Sequence, residues 1–98
     1  MAHTILRLYR DAVPLLDAVA DREAEVRELI TSIPGFVRYG LIRTADGGVS
    51  ITTCETKEGT EESSRRVAEW IRTNVPDLPA SSVTPTVIEG ESMFFFMA

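Results

Sequence analysis

The spacing of apolar positions switches between two and three-to-four along the chain, and each switch marks a new element. Residues 4–9 alternate, with Ile5, Arg7 and Tyr9 on one side and Leu6 and Leu8 on the other. That is a strand pattern with one wet face. Asp11 offers an N-cap, and Pro14 fits the first turn of a helix. From 15 to 33 the apolar residues Leu15, Leu16, Val19, Val26, Leu29, Ile30 and Ile33 fall mostly three, four and seven apart, on one helical face. Glu23 and Arg27 form an i,i+4 pair on its wet side. The polar run over 20–25 places any break in this helix there, and Pro34-Gly35 ends it.

Two extended runs follow, 36–44 and 49–56, joined by Ala45-Asp46-Gly47-Gly48. An Asp46-Gly47 primed turn sets Thr44 opposite Val49, Ile42 opposite Ile51, Tyr39 opposite Cys54 and Arg38 opposite Glu55. The last pairing joins opposite charges across the strands and favours this register; a turn at Gly47-Gly48 gives another. Thr56 or Thr60 then caps a second helix, running to Val75, with Ser64, Val67, Ala68, Ile71 and Val75 as its buried stripe. Glu61 with Arg65 and Glu62 with Arg66 are i,i+4 pairs. Residues 76–85 hold three prolines and read as a rigid loop. Residues 86–91 form the last strand, and the tail 92–98 is apolar on both faces.

The order strand, helix, strand, strand, helix, strand is that of an α+β, ferredoxin-like βαββαβ chain with a four-stranded antiparallel sheet. Both helices then cover one face. The other is half apolar, a patch that monomers rarely keep in water. A second copy packed sheet to sheet about a twofold axis closes it, so a homodimer is expected. Phe94, Phe95 and Phe96 cannot all turn to one core, which makes them candidates for the dimer interface. The alternative is a tail folded back over its own sheet edge.

Ninety-eight residues suit one domain, 1–98, with one core. Ten basic residues against fifteen acidic ones, a net charge of -5, argue against a nucleic-acid partner, whose phosphates need clustered Lys and Arg. They disfavour an anionic membrane surface likewise. No apolar run is long enough to span a bilayer, and the N-terminus lacks the apolar core of a signal peptide. Cys54 is the only cysteine, so no intrachain disulfide forms; a reducing, cytoplasmic location is expected.

Few residues offer chemistry. Trp70 flanks the stripe of the second helix, where it either stacks on an aromatic ligand or packs the helix on the sheet. Tyr39 and Cys54 are expected cross-strand neighbours, either lining a pocket or packing as ordinary sheet residues. Nothing near Cys54 in sequence would lower its pKa. His3, the only histidine, stands where chains fray, and no spacing of ligands suggests a metal. Arg38 and Glu55 read as a solvated ion pair. No Ser-His-Asp or Cys-His arrangement is available, and Gly47-Gly48 does not lead into a helix as a phosphate loop does.

With Ile33-Pro34-Gly35-Phe36, Ala45-Asp46-Gly47-Gly48, Glu61-Glu62-Ser63-Ser64 and Ala68-Glu69-Trp70 in this order, the chain resembles the antibiotic biosynthesis monooxygenase-like superfamily over roughly residues 4–92. The resemblance implies a dimeric α+β barrel with a cavity between sheet and helices. Some of its members oxygenate aromatic polyketides without metal or flavin; others degrade haem or act on quinols. The haem degraders use a helix histidine on iron, and the second helix here has none, which argues against haem and for no cofactor. The cofactor-free oxygenases use Trp and Asn near the pocket, parts that Trp70 and Asn74 would take. Two functions follow. One is cofactor-independent oxygenation of an aromatic or quinol-like small molecule, served by Trp70, Tyr39 and Asn74 in a dry pocket. The other is non-catalytic binding of a small aromatic ligand, or a role in assembly, favoured by the scarcity of titratable groups.

Overall fold

The computed structural model describes residues 1–98. Its elements are β1 (His3–Tyr9), α1 (Val13–Ala20), α2 (Glu23–Thr31), β2 (Phe36–Arg43), β3 (Gly48–Cys54), α3 (Lys57–Asn74), α4 (Ala80–Val83) and β4 (Thr86–Glu91). The strands make one antiparallel sheet in the order β2-β3-β1-β4. The sheet and the helices have the α+β, ferredoxin-like arrangement that the element order predicts. The central strands β1 and β3 hold the deepest residues, and β2 and β4 are the edges.

The long first helix breaks at Asp21-Arg22, inside the polar run, into α1 and α2. Pro14 stands in the first turn of α1, where its missing N–H costs nothing. Thr56, not Thr60, caps α3: its hydroxyl accepts from the Gly59 N–H at 3.2 Å. The buried stripe of α3 is rotated from the expected one. Gly59, Thr60, Ser63, Trp70 and Ile71 are buried, while Ala68 is exposed. Both Arg65 and Arg66 pair with Glu62, at 2.5 and 2.9 Å. The proline-rich 76–85 segment contains the short α4, whose buried Ser82 hydroxyl donates to the Asp11 carbonyl at 2.5 Å.

The hairpin register differs from the expected one by two residues. Ile42 faces Val49, Gly40 faces Ile51, Tyr39 faces Thr52 and Arg38 faces Thr53. Arg38 therefore does not meet Glu55, and Tyr39 does not face Cys54. The cause is the loop. It spans residues 44–47, closed by the Thr44 N–H on the Gly47 carbonyl at 3.0 Å, and it is docked on the chain after β1 by the Ala12 N–H on the Asp46 carbonyl at 2.7 Å. A docked loop sets the register that a free two-residue turn would otherwise set. A slip of two keeps every side chain on its face, with an irregularity at Val37 absorbing the mismatch near the strand start.

Strand β1 turns the side that carries its arginine toward the helices. Ile5, Arg7 and Tyr9 face the helices and are buried, Arg7 at 2% exposure. Leu6 and Leu8 look to the open side with Val49, Ile51, Ile42 and Ile88, and the last two are 53% and 57% exposed. The helix side holds two apolar clusters, Tyr9, Ala12, Leu15, Leu16, Trp70 and Ile71 in one, Ile30, Ile33 and Cys54 in the other. Arg7, Ser50, Thr52, Thr60 and Ser63 form a buried polar layer beside them.

After β4 the Ser92 N–H donates to the Ala2 carbonyl at 2.8 Å. The tail then crosses the open face, because the Phe95 ring lies 4.3 Å from the Arg38 guanidinium on the opposite edge strand. The hydroxyls of Ser92, Thr4 and Thr53 run along this path, with Arg38 Nε donating to Thr53 at 3.4 Å. Phe94 and Phe96 stack edge to face at 5.5 Å and remain exposed. One Phe thus folds back on its own sheet, and two stay free.

Candidate functional site

A cleft of about 510 Å³ opens between the α1–α2 pair and the edge strand β2. Its walls include Leu16, Val19, Val26, Ile30, Phe36 and Tyr39, with Glu23, Arg27 and Arg43 among its polar residues. The sequence produces it locally. The helix break at Asp21-Arg22 changes the course of the helical layer over β2, and the apolar faces of α1 and α2 then wall a gap instead of closing it. The cleft has a floor, a smaller pocket of about 40 Å³ that shares Leu16, Val19, Val26, Tyr39 and Leu41 with it. Tyr9, Leu15, Leu29, Ser50, Val67, Trp70 and Ile71 complete this inner pocket.

Both tyrosines of the inner pocket hold their protons tightly. Burial pushes the Tyr9 phenol up to about 12, against partial relief from the Arg7 charge. Burial raises Tyr39 likewise, again offset by Arg7. The unfolded chain therefore gives up the Tyr9 proton first. That contribution to stability is full below pH 10 and declines as the pH rises from 10 toward 12, by about 2–3 kcal/mol for Tyr9. Arg7, whose pKa burial lowers, works in the opposite sense. A Tyr9→Phe comparison isolates the tyrosine: denaturant unfolding at pH 9.5 and 11.5 is expected to show a steeper loss for the wild type. Equal slopes would contradict a buried phenol.

Arg7 lies beside this floor. Its Nη1 donates to Thr52 Oγ1 at 3.1 Å and to Ser50 Oγ at 3.5 Å. Its Nη2 donates to Ser63 Oγ at 2.5 Å and Ser64 Oγ at 2.9 Å on α3. Its Nε–H is buried with no partner. The four acceptors are neutral hydroxyls, and no carboxylate forms an ion pair with it.

The structure separates the residues singled out from sequence. Tyr39 lines both cleft and inner pocket, and Trp70 lines the inner pocket. Trp70 is also a core residue, its Nε1 donating to Glu25 Oε1 at 2.8 Å. Asn74 lines neither: its Nδ2 donates to the Trp70 carbonyl at 2.9 Å and its Oδ1 accepts from Arg22. Cys54 is fully buried against Ile30 and Ile33, beneath Gly59, with its thiol pushed up by burial. It fills space as a small hydrophobe. His3 is held in β1 between two strands, with Nε2 3.0 Å from Glu89 Oε1, and is not frayed. No group of three or more His, Cys, Asp or Glu residues is placed to hold a metal ion.

Sequence reading missed the Arg7 layer. The signal was present as hydroxyls at period two in β3, Ser50 and Thr52, matched by Thr60, Ser63 and Ser64 where α3 should show aliphatics. A polar stripe on both partners of an interface points to a buried polar centre between them.

No family model and no curated protein matches the chain. Solved structures do. The monooxygenase of the ActVA-Orf6 gene of Streptomyces coelicolor, in complex with nanaomycin D, matches with a TM-score of 0.64 at 18% identity, over 99% of this chain and 91% of its own. A candidate antibiotic biosynthesis monooxygenase of Chloroflexus aurantiacus gives 0.69 at 17%, over 99% and 98%. The haem-degrading protein Rv3592 of Mycobacterium tuberculosis, in a haem-free form, gives 0.62 at 16%, over 99% and 100%. The chain therefore shares the α+β fold of these structures. No helix is long and apolar enough to cross a membrane.

Proposed function

We propose that this chain is a homodimer whose cleft takes a small aromatic or quinol-like molecule and oxygenates it without a bound metal or flavin. The observation that carries this is the cleft: about 510 Å³, walled by aliphatic and aromatic side chains, with two tyrosines and a tryptophan at its floor. That size suits a ring system, and ligand sites are commonly apolar walls with a few placed polar groups. The naming of similar structures as monooxygenases, one of them holding nanaomycin D, supports the reading. The haem-degrading relative lends less, since α3 here has no histidine and His3 is engaged with Glu89.

The chemistry asks little of the protein. An acidic phenol or anthrone-type carbon loses a proton, and the electron-rich anion gives one electron to dioxygen. The two radicals join as a carbon-bound peroxide. Loss of water from this leaves a new carbonyl. One oxygen atom stays on the carbon, the other leaves as water with the two hydrogens, and the four electrons come from that carbon. The cleft contributes orientation and exclusion of water. Tyr39 and Trp70 are the residues we place against the ring.

The dimer uses the open face. Leu6, Leu8, Ile42, Val49, Ile51 and Ile88 form one apolar surface that the helices leave uncovered, and Phe94 and Phe96 extend it. A second copy turned about a twofold axis hides it.

Titration of Trp70 fluorescence with an anthrone-type phenol and with a quinol is expected to show saturable quenching by one of them. Oxygen uptake equal to the ligand consumed should follow, with sedimentation reporting a dimer. Binding without oxygen uptake leaves a second reading, a non-catalytic ligand-binding protein. One observation favours it: both phenols at the floor are held protonated, so neither is a ready base. Absence of binding by any aromatic probe would overturn both.

A further inference from the structure

Arg7 brings a positive charge into the interior and is answered only by the hydroxyls of Ser50, Thr52, Ser63 and Ser64. Burying an ion without an ion-pair partner carries a large desolvation cost. If the side chain only tied α3 to the sheet, a neutral group would do so without that cost. The titratable groups whose charge acts on Arg7 are Tyr9 on β1, Tyr39 on β2, Cys54 on β3 and Glu89 on β4. Glu89, the only carboxylate of these, is occupied with His3. On α2, the exposed Glu25 carboxylate is occupied with Trp70. No carboxylate forms an ion pair with Arg7, and its Nε–H is an unused buried donor.

Arg7 does not itself line the inner pocket but reaches its wall at Ser50. Ser50 joins the two: its hydroxyl accepts from Arg7 and its side chain lines the pocket. A volume of about 40 Å³ holds one water-sized group. Tyr9 and Tyr39 line the same space, and phenols held protonated are hydrogen-bond donors.

We infer that the inner pocket is an anion subsite: the ligand of the cleft carries an acidic oxygen, phenolate or carboxylate, set against Ser50 and the two tyrosines with the Arg7 guanidinium directly behind. This rests on the reading that the cleft takes an aromatic molecule, and it narrows that class to aromatic acids. Burial favours the neutral form of any acid in this space, as it does for the two phenols; the Arg7 charge acts against it and draws a bound acid toward its ionised form. For the oxygenation proposed above, the same field holds the substrate anion that reacts with dioxygen. Arg7 is here a positioning and electrostatic residue acting through Ser50.

The test uses 4-nitrophenol, whose acid and anion differ in colour, and 4-nitrotoluene, its neutral counterpart in size. The anion is expected to bind wild-type protein about tenfold or more tightly than nitrotoluene, and the bound phenol to ionise about one pH unit lower than the free one. Arg7→Gln should erase both effects and leave nitrotoluene binding within about twofold; Arg7→Lys, which keeps the charge, should retain part of them. 4-Nitrobenzoate against nitrotoluene repeats the comparison for a carboxylate and separates the two acid types. Equal binding of nitrophenolate, nitrobenzoate and nitrotoluene, with an unshifted phenol, would overturn the anion subsite and leave the aromatic cleft standing. Failure of every probe to bind overturns the cleft reading and this one together. The wild-type comparison decides the matter even if an Arg7 variant does not fold.

Discussion

Trp70→Ala is expected to lower stability by about 3–5 kcal/mol, the range for emptying an aromatic site in a packed core. Trp70 is 9% exposed and sits among Tyr9, Leu15, Leu16 and Ile71, at the point where α3, α1 and β1 converge. The ring also holds α2. Its Nε1 donates to Glu25, and the Arg22 guanidinium lies 5.9 Å from its centroid, so the side chain spans the helix break. The site cannot collapse easily, because its neighbours already border the inner pocket and Trp70 is one wall of it. Trp70→Phe keeps most of the buried surface and loses the bond to Glu25, for about 1–2 kcal/mol. Glu25 is exposed, so the carboxylate left behind regains water at little cost. Chemical denaturation followed by circular dichroism measures both variants. A loss under 1 kcal/mol for Trp70→Ala would mean that the core does not rest on this residue. A Trp70→Phe loss equal to that of Trp70→Ala would assign the effect to the hydrogen bond rather than to volume.

The same residue shows what the sequence could and could not convey. Trp70 reads as flanking a stripe through Ser64, Val67, Ala68 and Ile71, because periodicity counts aliphatics and passes over small polar residues. In the fold, α3 packs through Gly59, Thr60 and Ser63 near its start and through Trp70 and Ile71 toward its end. Ser63, with Ser64 beside it, meets Arg7 there. One buried charge thus displaces the apparent stripe, and neither half of that pair is visible without the other. Element order was legible for the opposite reason: the strand alternation, the polar run at the helix break and Pro34-Gly35 are local signals, and each acts where it is read. The hairpin register depended on a contact between residues 12 and 46, which no local rule contains. The cleft was legible only in part. Tyr39 lines it and Trp70 lines the inner pocket beneath, while Asn74 is turned away by its bonds to Arg22 and the Trp70 carbonyl.

That contact between the loop and the chain after β1 sets up the second large effect. Gly47→Ala is expected to cost about 3 kcal/mol or more, at the upper end for overpacking. Backbone freedom is not the reason, since among the glycines only Gly35 has a positive φ. Space is. A Cβ on Gly47 would stand 2.1 Å from the Tyr9 carbonyl oxygen and 3.2 Å from Ala12 Cβ. A backbone carbonyl at the end of a paired strand cannot swing aside as a side chain can. Tyr9 is opposite Gly48 in the sheet, and the Ala12 N–H is already committed to the Asp46 carbonyl. The loop must lift, breaking that bond and loosening the corner from which Tyr9 and Leu16 reach the inner pocket. Gly40→Ala is the control. Its Cβ would meet nothing within 4 Å, and a strand interior prefers Ala to Gly by roughly 0.5–1 kcal/mol, so this change should be neutral or mildly stabilising. The same methyl group, added to two glycines of one hairpin, is thus expected to act in opposite directions. Urea midpoints of the two variants decide it. A Gly47→Ala variant as stable as the wild type would show that the loop is not docked on the β1 end, and the two-residue turn register would then regain its claim.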